Sequence, residues 1–299
     1  MKILINRKPV VGPWGGGNHF VKAFHEIGTG KGHDIVTNFC HDLDAIFMVD
    51  PRYDELGISI NEITHYKANH PSTLLVHRIN ECDSRKGTND MDFLLKQCSK
   101  YSDISVFVSN WMKDYHVSKG WNCKENTVIY NGVDDIIFKP NQKIDNGKIN
   151  VVAHHWSDNY LKGFDVYEFI DKLTLMYDHI GFTYIGRERG TFQNTHIIPP
   201  LFGQKLGMEL GRYDVYISGS RHDPGPNHIL ESLSCAIPTY VHKDGGGAVE
   251  FAGDDHVYES LSELENLILG GNFKKNNFRP MGWNICINDY FDLLEKGTT

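Results

Sequence analysis

The densest set of chemically capable residues runs Ser218-Gly219-Ser220-Arg221-His222-Asp223-Pro224-Gly225-Pro226-Asn227-His228-Ile229-Leu230-Glu231. Asp223 stands in a turn whose backbone two prolines restrict, and Asn227 has the character of a helix N-cap. The helix that follows therefore turns its amide donors toward Asp223. Glu231 lies about one turn into that helix. A carboxylate buried there needs a partner, and a ribose diol offers it two hydroxyl donors. The segment Lys243-Asp244-Gly245-Gly246-Gly247-Ala248-Val249-Glu250 repeats the device of strand, glycine turn and helix.

Three other loops carry usable chemistry. Gly12-Pro13-Trp14-Gly15-Gly16-Gly17-Asn18 lets the backbone approach a ligand closely, and a diphosphate at the following helix start meets several amide donors. Its spacing is neither G-x-G-x-x-G nor G-x-x-x-x-G-K-[ST], which argues against dinucleotide and P-loop chemistry. In Val76-His77-Arg78-Ile79-Asn80-Glu81-Cys82-Asp83, alternation puts His77, Ile79 and Glu81 on one face and Arg78, Asn80 and Cys82 on the other. A cleft wall and a satisfied ion-pair network both fit that pattern. In His154-His155-Trp156-Ser157-Asp158-Asn159-Tyr160-Leu161-Lys162-Gly163-Phe164-Asp165, Lys162 before a glycine and a helix start places an ammonium beside a phosphate. The adjacent histidines point apart in a strand and no carboxylate completes a zinc motif, so no metal is expected. Asp42-Leu43-Asp44 reads as solvated surface.

The elements needed to hold these loops are those of parallel sheets covered by helices, because short β-rich runs alternate with longer amphipathic ones. Strands are expected at 2–6, 34–38, 45–49, 73–79, 104–108 and 127–130, then at 149–153, 182–185, 196–198, 215–218 and 237–241. Helices are expected at 19–27, 91–99, 110–119, 164–175, 205–211, 227–235 and 283–296. Ile285, Tyr290, Phe291 and Leu294 give the last of these an apolar stripe that needs a partner surface. The polar stretch 141–148 reads as a linker, dividing the 299 residues into 1–143, 148–280 and a C-terminal helix at 281–299.

Composition bounds the functions. A net charge of −8 argues against broad binding to a phosphate backbone. No run of about 18 apolar residues exists, and the N-terminal Lys2-Ile3-Leu4-Ile5 is a short strand and not the apolar core of a signal peptide. No stable membrane insertion and a cytoplasmic location are therefore expected. The cysteines at 40, 82, 98, 123, 235 and 286 form no CxxC pair, so free thiols are expected.

The stretch from Tyr216 to Glu250 resembles the signature of the retaining glycosyltransferases of family four, which have the GT-B fold of two facing Rossmann-like domains. The matching features are Asp223, Glu231 eight positions on, the small-residue helix end Ser232-Leu233-Ser234-Cys235-Ala236, Ile237-Pro238, Gly245-Gly246 and Glu250. Val108-Ser109-Asn110-Trp111, Val128-Ile129-Tyr130-Asn131-Gly132-Val133-Asp134 and Phe138-Lys139-Pro140 are similar to the end of the family's acceptor domain. Lys162-Gly163 is similar to its phosphate-binding Lys-Gly, Gly15-Gly16-Gly17 to its N-terminal glycine loop, and Trp283 with the last helix to the segment that packs back on the N-terminal domain. The chain departs from the pattern in having Asp at 223 where Glu is usual, and His154-His155 where Gly-Arg is usual.

The resemblance implies transfer of a sugar, with retention, from a nucleoside-diphosphate sugar to a hydroxyl acceptor, without metal or other cofactor. The acceptor it leaves open is a saccharide, a lipid-linked group or a nucleic-acid base. It assigns Asp223, Lys162 and either His77 or Asn80 to the chemistry, in a cleft between the domains. Donor contacts fall to Gly15, Gly16, Gly17, His155, Lys162, Arg187, Gly225, Pro226, Asn227, His228 and Glu231, with Arg187 or His155 in place of the family's arginine. The rival expectations are a non-catalytic nucleotide-sugar binding module and a transferase acting on modified bases. Neither the nucleotide, the sugar nor the oligomeric state is legible.

Overall fold

A computed structural model describes residues 1–10, 16–189 and 191–298. The chain divides into two units, Met1–Gly132 with Trp283–Thr299, and Val133–Gly282. Unit 1 holds β1 (Lys2–Ile5), α1 (Gly16–Gly30), β2 (Asp34–Val36), β3 (Ala45–Met48), α2 (Ile60–Asn69), β4 (Leu74–Ile79), α3 (Asp83–Lys86), α4 (Met91–Ser99), β5 (Ile104–Phe107), α5 (Asn110–Ser118) and β6 (Glu125–Val128). Its strands form one sheet in the order β2-β1-β3-β4-β5-β6, every pair parallel. Strands β3, β4 and β5 are buried along their whole length. Continuous apolar runs such as Ala45-Ile46-Phe47-Met48 follow from this, since helices cover both faces of a parallel sheet.

Unit 2 repeats the plan with β7 (Ile149–His155), α6 (Phe164–Met176), β8 (Ile180–Gly186), β9 (His196–Ile198), α7 (Gly203–Leu210), β10 (Val215–Ser218), α8 (Asn227–Ser234), β11 (Thr239–His242), α9 (Gly247–Ala252), β12 (Val257–Tyr258) and α10 (Leu261–Gly270). Its parallel sheet runs β12-β11-β10-β7-β8-β9. The core lies between this sheet and helices such as α6 and α10, around Val151, Phe164, Tyr167, Ile170, Tyr184, Val215, Leu264 and Ile268. After β9 the chain returns past β7 to lay down β10 on its other side. The central crevice between β7 and β10 is therefore a topological switch point, where the loops at the strands' carboxyl ends diverge and leave room for a ligand.

The chain finally rejoins unit 1 as α11 (Trp283–Thr298). Its apolar side meets α1, with Tyr290 edge-on to Phe20 at 5.0 Å and Phe291 against Phe24 at 4.8 Å. A Cβ on Gly28 would stand 2.6 Å from the Phe291 ring, so only glycine permits this approach of the two helices. Ile285, counted in the stripe from sequence, is exposed, and Cys286 and Ile287 are buried in its stead. The passage between units falls at Gly132–Val133 and Gly282–Trp283. The polar stretch 141–148 lies inside unit 2, where Asn141 Nδ2 donates to Met208 O at 2.8 Å and Ile144 N to Arg212 O at 2.9 Å. Lys143 Nζ also donates to Tyr213 O and Asn146 Nδ2 to Asn150 Oδ1, so the stretch is tied to α7, to the segment after it and to the start of β7. No helix among the described residues is long and apolar enough to cross a membrane.

Candidate functional site

Two glycines bring the loops of the switch point together. Gly163, which begins α6 with φ of +97°, packs so tightly on the loop after β10 that a Cβ there would lie 2.3 Å from the Gly219 carbonyl carbon. A Cβ on Gly219 would in turn lie 2.8 Å from Val166. With backbone against backbone, Lys162 reaches across to Asp223, its Nζ donating to Oδ2 at 2.7 Å. Both residues are more than nine-tenths buried, at 8% and 6% exposure. Ser220 Oγ adds a second donor to the same oxygen at 3.2 Å.

The main chain of Asp223 is clamped by the glycine turn after β11. Asp223 N donates to Gly245 O at 3.2 Å, and Gly247 N to Asp223 O at 2.8 Å. Gly246 sits at φ +68°, with its position for a Cβ only 2.8 Å from that carbonyl. Next to it, His222 is held at φ +52°, a strained conformation for a residue with a side chain, of the kind that gathers at functional sites. The acid in the turn is thus aimed by backbone on both sides.

Glu231 lies at the same carboxyl end of the sheet. It is buried on α8, and its Oε2 lies 2.7 Å from His154 Nε2 at the end of β7. The neighbouring His155 is 3% exposed, with its Nε2 2.5 Å from the Tyr167 hydroxyl. Burial pushes that phenol well above its usual range, so it keeps its proton. Because Gly219 N donates to the same oxygen at 3.2 Å, the phenolic proton is directed to His155. His228 completes a buried histidine group, its ring 4.5 Å from that of His155 and its Nε2 3.1 Å from Ser218 Oγ. Arg221 binds Asp165 through two bonds of 2.7 Å, tying the β10 loop to the first turn of α6. Arg187 is exposed and stacks on Trp156 at 3.9 Å.

The structure therefore brings Lys162, Asp223, Glu231, His155 and His228 to the carboxyl ends of two adjacent strands. It differs from the sequence reading in where α8 begins. Pro226 is the N-cap and Asn227 the first helical residue, and no side-chain oxygen caps the helix. Pro226 holds φ at −73°, the value its ring imposes, and this sets the helix start one residue earlier. His154 was noticed in the sequence only as one of an adjacent pair. Its partner Glu231 is 77 positions away, and no local pattern carries a contact of that span.

In unit 1, Gly15 lies outside the described residues, while Gly16 and Gly17 open α1. A Cβ on Gly17 would stand 3.7 Å from Asn80 Nδ2, so this helix start and the residue after β4 are neighbours. His77 is not available to a ligand. It is wholly buried within β4, neither ring nitrogen has a partner among the described residues, and burial lowers its pKa to about 3. Of the two candidates, His77 within β4 and Asn80 just after it, Asn80 alone reaches a surface. Arg78 is 1% exposed, lies 4.3 Å over the Phe20 ring and donates to Asn131 Oδ1 at 2.7 Å, a packing role. A cavity of about 690 Å³ beside α2, lined by Phe39, Cys40, His65, Tyr66 and His70 among others, is bordered by none of the expected site residues. Among the described residues no group of three or more His, Cys, Asp or Glu is placed to hold a metal ion.

Solved structures share this architecture over nearly their whole chains. The sucrose-phosphate synthase from Thermosynechococcus elongatus superimposes with a TM-score of 0.71 at 12% identity, covering 98% of this chain and 98% of that one. Anabaena HepE, solved in complex with UDP and glucose, gives 0.69 at 13% identity and 99% coverage of both chains. A glycosyltransferase from Rickettsia africae gives 0.64 at 12% identity, covering 99% of this chain and 98% of that one. Two six-stranded parallel sheets with this coverage make the fold GT-B, as the sequence signature implied. No family model matches the sequence, and no curated protein matches it.

Proposed function

We propose that the protein is a retaining glycosyltransferase that uses a nucleoside-diphosphate sugar, a UDP-sugar first among them, and passes the sugar to a hydroxyl acceptor. The observation that carries this reading is the pair of buried acid–base contacts, Lys162 with Asp223 and His154 with Glu231, at the switch point of unit 2 beside the start of α8. Buried charges are retained at such a place where a charged ligand meets them. Anabaena HepE, whose fold this chain shares, was solved with UDP and glucose, and that supports the choice of donor.

On this reading Glu231 accepts hydrogen bonds from the donor ribose, and Asp223 with the backbone of Gly225, Pro226 and Asn227 holds the sugar. Lys162, His155 and His228 face the diphosphate, with Arg187 at its exposed end. As the bond from the anomeric carbon to the phosphate oxygen lengthens, negative charge grows on the leaving nucleotide. A lysine already fixed in place stabilises that charge without reorganising, and the start of α8 adds its dipole. This supplies without metal what a divalent cation supplies elsewhere. In unit 1, Asn80 and the first turn of α1 at Gly16 and Gly17 take the roles that the resemblance assigns to them.

The test is turnover. Purified protein is incubated with UDP-, GDP- and ADP-sugars and a panel of saccharide, lipid-linked and nucleoside acceptors, and the release of nucleoside diphosphate is measured. The anomeric configuration of the product, read by NMR, decides between retention and inversion. Binding of a nucleoside diphosphate with no transfer and no hydrolysis across the panel contradicts the catalytic reading and leaves a binding module.

A further inference from the structure

His154 occupies the position at which the family signature has glycine, so an imidazole stands where the pattern has no side chain. The residue is 6% exposed, and among the described residues its ring makes one hydrogen bond, from Nε2 to Glu231 Oε2 at 2.7 Å. Its Nδ1 is buried without a partner among the described residues. The polar chemistry of this side chain is therefore directed wholly at one carboxylate, although leaving a ring nitrogen bare inside a protein is unfavourable. The rings around it are Tyr216 of β10 at 5.5 Å, His228 of α8 at 6.2 Å and His155 of β7 at 6.5 Å. The Tyr216 hydroxyl accepts from His154 N and donates to His154 O, both at 3.2 Å, so the backbone carrying the ring is itself fixed.

Among the described residues this bond is the one hydrogen bond to the Glu231 carboxylate, and it engages Oε2 and not Oε1. A glutamate side chain turns freely about its last torsion unless something holds it. With Nε2–H on Oε2, the carboxylate plane is set and Oε1 is left for a ligand. A neutral imidazole in the Nε2–H tautomer does this, and its one donor is then used. We infer that His154 is the positioning residue of the donor site: it orients Glu231 so that recognition of the nucleotide's ribose hydroxyls is sharp. The inference rests on the donor reading above and extends it to a residue that the family pattern leaves without a side chain.

The two ring nitrogens give a discriminating test, because glutamine places its amide nitrogen where Nε2 stands and asparagine places its own where Nδ1 stands. Binding of UDP and 2′-deoxy-UDP to the wild type, His154→Ala, His154→Gln and His154→Asn is measured by calorimetry, with the thermal unfolding of each protein recorded alone. In the wild type, 2′-deoxy-UDP is expected to bind at least about tenfold more weakly, since a hydrogen bond to a charged acceptor is lost. That ratio should fall to about threefold or less in the alanine and asparagine variants and be restored by glutamine. A side chain that merely fills space predicts a uniform loss for both ligands and no difference between Gln and Asn, and that result overturns the inference while the donor reading stands. If the wild type binds none of UDP, GDP and ADP, the donor reading itself fails. Should the alanine variant not fold, the contrast between Gln and Asn decides alone.

Discussion

At the scale of single residues, the contact between Lys162 and Asp223 has two separable consequences. Both groups are buried, so removing one leaves the other a buried charge lacking this counter-charge, whereas replacing both with apolar groups removes the penalty together with the attraction. Lys162→Met is therefore expected to lose roughly 3–5 kcal/mol of stability in denaturant titrations. The double variant Lys162→Met with Asp223→Leu should regain most of it. On the proposed function activity should not follow, because the charge that Lys162 would present to the leaving diphosphate stays absent; transfer in both proteins is expected to fall by about 10²–10³-fold. Recovery of turnover along with stability would show that the pair only holds the loops together. Asp223, Lys162 and Glu231 were legible as candidates from their types and spacing on either side of glycine turns and helix starts. That Lys162 and Asp223 bind each other was not legible, since they stand 61 positions apart and only the sheet order brings them together.

At the scale of elements, the site depends on how closely two loops approach. Gly163 combines a left-handed backbone with a contact to Gly219, while Gly32 has a similar φ of +84° and open space around it. Comparing alanine at the two positions separates conformational strain from steric exclusion. Gly32→Ala should cost about 1 kcal/mol from strain alone. Gly163→Ala should cost clearly more and also weaken nucleoside-diphosphate binding, since the β7 and β10 loops must part. Equal melting temperatures for the two variants would remove the close approach from the argument. Most strands and helices could be read from period and punctuation because apolar runs in a parallel sheet are unambiguous at the strand centres. The missed elements are instructive in another way. Helix α2 carries a weak apolar stripe with Ile63 as its buried residue, yet Ser59 and Glu62 form a complete capping box, a signal present in the sequence as Ser-x-x-Glu. Strand β12 is only Val257–Tyr258, and pairing with β11 rather than any propensity makes it a strand.

At the scale of the whole molecule, unit 1 should be sensitive to mild acid. His77 in unit 1 is lowered from 6.5 to about 3 because burial disfavours the imidazolium. Its unfolded form takes up a proton below pH 6.5 while the folded form does not, so stability falls as pH drops from 6.5 toward 3, with a slope of at most about 1.4 kcal/mol per pH unit. His116 in the same unit is lowered by burial too, against the pull of the Glu81 carbonyl. Asp50 acts in a lower window. Burial would raise it, but Arg52 and Arg7 hold it at about 2, so its contribution is present above an unfolded value near 3.8 and is lost below that. Unit 1 is thus expected to begin losing stability at mildly acid pH, before carboxylates titrate in either unit. Trp111, Trp121 and Trp283 lie in unit 1, so tryptophan emission during urea unfolding at pH 7.5, 6.0 and 5.0 reports mainly on it. His77→Leu keeps the packing beside Trp121 and removes one titrating group, so its midpoint should fall less between pH 7.5 and 5.0 than the wild-type midpoint, with His116 left to account for the remainder. Parallel curves for the two proteins would mean that the buried imidazole is not what makes this unit sensitive to acid.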